Sequence, residues 1–113
     1  MKKILKLTVK DAYGDCMSFS PQKIQSVWEK GAVVTNYDSS KYRKDVCGAW
    51  MKRDQYGNNN ILGWEIDHVK PKAQGGTDNI SNLRPLQWEN NREKAAGRTN
   101  CVVTSKGNEN VRR

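Results

Sequence analysis

Residues 61–97 limit what this chain can fold into more than any other stretch does. Trp64 to Val69 and Leu83 to Gln87 are short, partly apolar runs separated by the turn formers Pro71 and Gly75-Gly76, which predicts two strands. Trp88 to Ala96 follows without a break and reads as a helix, with Glu89 in its first turn and Gly97 just past its end. The order is strand, loop, strand, helix. The loop from Pro71 to Asn82 is too long for a tight hairpin connection, and Pro85, lacking an N–H, belongs at a sheet edge. Upstream, Ser20-Pro21 starts a helix near residues 21–30, with Ile24, Val27 and Trp28 at three- and four-residue spacing and Gly31 ending it. Residues 32–44 read as loop, Val46 to Arg53 as a strand, and Tyr56 to Asn60 as a turn; residues 3–9 read as a short strand before a turn at Asp11 to Asp15.

With 113 residues, the chain has room for one domain of the α+β class. We divide it into an N-terminal extension (1–19), the informative stretch 61–97 and a flexible basic tail (98–113). Lys and Arg number 20 against 12 Asp and Glu, a net charge of +8 that suits a polyanionic partner such as nucleic acid and equally suits a merely soluble protein. No window has the roughly 18 apolar residues of a membrane span, and Met1 to Lys10 alternates charged with apolar residues, unlike a signal peptide. Cys16, Cys47 and Cys101 are odd in number and far apart, which argues against a complete disulfide framework and for a reducing, cytoplasmic setting. None forms a CxxC pair, so a zinc site built from cysteine pairs is excluded.

His68, the single histidine, directly follows Asp67. A neutral imidazole suits proton abstraction near neutral pH, and a carboxylate is a hard oxygen ligand for a divalent cation. Neighbouring strand residues point to opposite faces, so for both to serve one site the strand should end or bend at Asp67. Asn91 offers a second, neutral oxygen ligand, and Asn82 can hydrogen-bond backbone and hold the histidine's loop. Oxygen ligands favour magnesium, manganese or calcium over zinc.

Asp67-His68, Gly75-Gly76, Asn82-Leu83-Arg84-Pro85-Leu86 and Asn91 with Lys94 three residues on resemble, in that order, the HNH endonuclease motif on its ββα-metal fold, in the variant whose third signature residue is Asn. The motif covers about a third of the chain, and the Ser20 to Trp28 and Arg43 to Gly57 segments also resemble those of small bacterial or phage HNH domains. The resemblance implies a nuclease acting on DNA, with RNA also open. In it His68 is the general base, Asp67 and Asn91 hold one magnesium or manganese ion, and Asn82 orients the histidine loop. Water attacks the phosphodiester and leaves 5′-phosphate and 3′-hydroxyl ends. Arg84, Arg92, Lys94 and Lys70 are placed as phosphate contacts, while Lys72 and Arg98 stay unassigned. Many family members carry two CxxC pairs around a structural zinc; here Gln87 and Asn90 stand at the second pair's positions, so tryptophan burial and hydrogen bonds are expected to hold the fold without that zinc.

Each residue also has a plainer reading. Asp67-His68 alone could be an edge-strand ion pair, Asn82 a turn residue and Asn91 a solvated one. Trp28, Trp50, Trp64 and Trp88 are read as core more than as base-stacking surfaces. A binding module that keeps the fold without turnover, or a component that cuts only with a partner, are the competing functions. With one site per chain, cutting both strands needs a dimer, a partner protein or two sequential events.

Overall fold

The computed structural model describes residues 19–113 except Ala96. The strand and turn expected within residues 3–15, Cys16 and the lysines near the start lie outside the described residues.

Helix α1 (Pro21–Trp28) begins where Ser20 Oγ accepts from the Lys23 N–H at 3.1 Å and Pro21 supplies the preset first position. It buries Val27 and Trp28. A short hairpin follows, β1 (Tyr42–Lys44) paired antiparallel with β2 (Trp50–Lys52). This corrects two expectations: residues 32–44 end in a strand, and the strand expected over Val46 to Arg53 starts only at Trp50. The delay has a local cause. Asp45 Oδ1 accepts from the Cys47 and Ala49 N–H groups, closing residues 45–49 into a turn.

The central hairpin joins β3 (Trp64–His68) to β4 (Leu83–Gln87), with Asp67 opposite Arg84 and His68 opposite Leu83. Its alternation sorts the side chains. Trp64 and Ile66 point toward α1 and form the core with Val27, Trp28, Met51 and Leu83, whereas Glu65 and Asp67 point to the other face, toward the next helix. In this two-stranded sheet Pro85 occupies an edge without costing a ladder bond. Helix α2 (Trp88–Arg92) follows β4 directly, completing strand–strand–helix order. It is shorter than the expected Trp88 to Ala96, because its C-terminal cap falls at Glu93 and the chain bends so that Ala95 and Arg98 pair.

Residues 98–113 are not a flexible tail. They form the hairpin β5 (Val103–Lys106) and β6 (Glu109–Arg112), with Val103 fully buried. Asn90 of α2 anchors it: Oδ1 accepts from the Val102 and Val103 N–H groups and Nδ2 donates to Val103 O, at 2.8–3.0 Å. Cys47 and Cys101 are joined in a disulfide, so two of the three cysteines do pair and the ground for a reducing setting is lost.

Gln87 and Asn90, where the resemblance would put the second CxxC pair, are completely buried. Asp45 Oδ2 accepts from the Gln87 N–H at 2.9 Å and from Asn90 Nδ2 at 3.0 Å. One carboxylate thus ties the β1–β2 turn, the end of β4 and α2 together. Burial pushes the Asp45 carboxyl up, against the pull of its four N–H donors. Every indole N–H, those of Trp28, Trp50, Trp64 and Trp88, donates to a backbone carbonyl. That favours the core reading for these rings, with Trp88 only half-buried.

Candidate active site

The loop between β3 and β4 is built around its backbone. Gly75 has φ +91°, and a Cβ at Gly76 would stand 1.7 Å from Lys70 O, so both positions require glycine. Asn82 closes the loop. Its Oδ1 accepts from the Lys70 N–H at 2.8 Å while Nδ2 donates to Lys70 O at 3.0 Å and Thr77 O at 2.9 Å. From below, α1 and the turn after it grip the same loop: Lys23 Nζ donates to Asp78 O, and Lys30 Nζ donates to Ile80 O and to Leu83 O at the start of β4.

His68 is the last residue of β3, one short of the expected Val69, so the strand runs through Asp67 and the two side chains leave it on opposite faces. The His68 ring packs near Phe19, with ring centroids 6.2 Å apart. Its Nε2 lies 2.7 Å from Asp78 Oδ1. An ionised carboxylate only accepts, so Nε2 carries the proton and the imidazole's basic nitrogen is Nδ1. The His68 hydrogen bond is the main cause that holds the Asp78 carboxyl below its ordinary value, and Lys72, 3.6 Å from Oδ2, adds to it.

Asp67, on the opposite face, is buried and faces two cations. Arg84 Nε donates to Oδ2 at 2.8 Å and Lys94 Nζ donates to Oδ1 at 2.7 Å; Lys94 also reaches the His68 carbonyl. Asn91 lies on α2 beside Glu65, to which its Nδ2 donates at 2.9 Å, and Arg92 bonds the same carboxylate. Of the four side chains expected on phosphate, Arg84 and Lys94 therefore rest on Asp67, Arg92 rests on Glu65, and Lys70 is exposed.

Among the described residues no group of three or more His, Cys, Asp or Glu is arranged to hold a metal. The donor chemistry of Asp67 and Asn91 nevertheless fits a hard divalent cation. One carboxylate and one amide oxygen are what a magnesium-type ion takes from protein when phosphate and water complete its shell. In this structure Asp67 Oδ1 is taken by the Lys94 ammonium and Oδ2 by the Arg84 guanidinium.

Residues 52–97 match the family model of HNH endonucleases. This segment is similar to HNH endonucleases. The match covers less than half of the 113 residues but contains the whole of β3, β4 and α2. Neither a curated protein nor a solved structure matches the chain.

The HNH segment holds two carboxylates that reading the sequence missed. Glu65 was detectable in principle, since it lies two residues before Asp67 in a strand and must share its face. Asp78 gave no such signal. It reaches His68 across a ten-residue loop separation that no strand or helix period encodes.

Proposed function

We propose that the chain is a metal-dependent endonuclease that hydrolyses phosphodiester bonds of DNA, with β3, β4 and α2 serving as the ββα-metal unit. The observation that carries this reading is a histidine whose Nε2 is held by Asp78 at 2.7 Å, in the last position of the strand that also bears Asp67. A phosphodiester crossing the end of β3 meets both faces of the strand. There His68 Nδ1 takes a proton from the attacking water, whose oxygen bonds phosphorus as the bond to the 3′ oxygen breaks; the 3′ oxygen then takes up a proton. The ends left are 5′-phosphate and 3′-hydroxyl.

Asp67 and Asn91 would hold one magnesium or manganese ion. When bound, the ion supplies the charge that polarises the scissile phosphate and stabilises the leaving oxygen. Asn82 keeps the loop closed, so that Asp78 stays on the imidazole and Nδ1 stays aimed. Lys94 and Arg84 neutralise Asp67 in the absence of a divalent cation and lie where phosphate oxygens would approach. Lys70 is an exposed phosphate contact.

The test is a plasmid-nicking assay in EDTA, magnesium, manganese and zinc, with His68→Ala alongside. Nicking should require the metal and fall at least about 1,000-fold in the variant, with DNA affinity nearly unchanged, because a base acts on the transition state and adds little to ground-state binding. Equal loss of cutting and binding would remove His68 from the base role. Binding with no nicking in any metal would point to a non-catalytic binding module or to an enzyme that needs a partner.

A further inference from the structure

We infer that Glu65 is a positioning residue for Asn91, setting which end of its amide is offered to a cation; this rests on the assignment of Asn91 as a ligand. A primary amide has two ends of similar shape and opposite character, and only the oxygen binds a hard cation. Nothing in a surface helix chooses between them. Here Glu65 Oε1 accepts from Asn91 Nδ2 at 2.9 Å, and a carboxylate cannot donate to the opposite amide orientation, so the flip is fixed with Oδ1 pointing away from Glu65. Among the described residues Asn91 Oδ1 accepts no side-chain hydrogen bond, which leaves the oxygen for another donor or a cation.

Glu65 is itself held. Arg92 Nη2 donates to its Oε2 at 2.7 Å and Arg92 Nε approaches Oε1 at 3.3 Å, and strand pairing opposite Leu86 sets its backbone. Its side chain is 20% exposed, so the carboxylate is shielded enough for these contacts to persist. Glu65 and Asp67 are two residues apart on one strand face, so the backbone that places the charged ligand also places the group that aims the neutral one. Arg92 is then a clamp on Glu65 before it is a phosphate contact.

The experiment titrates Mn²⁺ alone into the purified full chain and reads bound metal by calorimetry, with the fold of each variant checked by circular dichroism. Asn91→Ala should weaken Mn²⁺ binding. Glu65→Met, of similar length and without an acceptor, should weaken it about 10-fold or more, the usual scale for losing a partner behind a metal ligand. Glu65→Gln keeps an oxygen for Nδ2 and should bind within a few-fold of the parent. In an Asn91→Ala background, Glu65→Met should cost nothing further. Unchanged affinity in Glu65→Met overturns the inference. So does Glu65→Gln binding as poorly as Glu65→Met, which would make Glu65 a ligand or a plain charge, and so does a further loss in the double variant. Should Glu65→Met not fold, Glu65→Ala takes its place. Parent-like affinity in Asn91→Ala would instead remove the ligand assignment on which the inference rests, a result distinct from any of the Glu65 outcomes.

Discussion

At the residue scale the site depends on which atoms are donors and which are acceptors. Asn82 engages both ends of its amide: one acceptor for the Lys70 N–H, one NH₂ for the carbonyls of Lys70 and Thr77. Asp has nearly the same shape and no donor. In Asn82→Asp a carboxylate oxygen would therefore face two carbonyl oxygens at about hydrogen-bond distance, and the loop would have to open to relieve the repulsion. Asp78 sits in that loop, so His68 would lose its orienting partner. We expect cleavage to fall about 100-fold, the scale of a displacement near 1 Å at a reacting group, with DNA affinity within a few-fold of the parent. A variant that cuts at the parental rate would show that the loop holds His68 without Asn82. That Asn82 bonds the loop backbone was legible in the sequence, because a turn-rich loop with an Asn before the second strand has few ways to satisfy its backbone. The partner of His68 was not, since any polar side chain between Pro71 and Asn82 could have filled that place.

At the scale of elements, β3 and β4 fell where the turn formers put them, and α2 did not run as far as its residues allow. Glu93, Lys94 and Ala95 are good helix formers, yet the helix stops at Arg92, where tertiary contacts outweigh propensity. Lys94 turns its ammonium onto Asp67 and the His68 carbonyl, and Ala95 pairs with Arg98. The C-terminal hairpin was illegible for a related reason. Its one fully buried apolar side chain, Val103, makes no pattern, and what fixes it comes from elsewhere in the chain: the Asn90 amide and the Cys47–Cys101 disulfide. Asn90→Ala would leave the Val102 and Val103 N–H groups and Val103 O without their partner, and Asp45 Oδ2 with one donor in place of two. Stranding buried groups of this kind costs about 1–3 kcal/mol each, so we expect a loss of at least about 3 kcal/mol in denaturant unfolding. Amide exchange should rise first in residues 102–112, ahead of β3 and β4. Uniform loss of protection throughout the chain would mean the hairpin is not the unit that Asn90 secures.

At the scale of the whole molecule, the net charge of +8 overstates what is available to a polyanion. Many cations are spent inside the fold. Lys23 and Lys30 bond loop carbonyls, Arg43 bonds the carbonyls of Glu29, Gly31 and Ser39, and Arg84, Lys94 and Arg92 rest on carboxylates. Lys70, at the rim of the histidine loop, is exposed and donates no side-chain hydrogen bond among the described residues. Counting positive charges in the sequence cannot make this distinction, because it depends on which carbonyls and carboxylates the fold brings within reach. The salt dependence of DNA binding can make it. Each phosphate neutralised releases counterions, and the logarithm of the affinity falls against the logarithm of salt with a slope of about −0.9 per contact. Lys70→Ala should therefore flatten the slope by about one contact and weaken binding to all sequences alike. Lys23→Gln, which removes a cation already committed to Asp78 O, should leave the slope unchanged even if the loop loosens. Equal flattening in both variants would mean that DNA draws Lys23 away from the Asp78 carbonyl, so that the grip on the histidine loop and the grip on substrate compete for the same side chain.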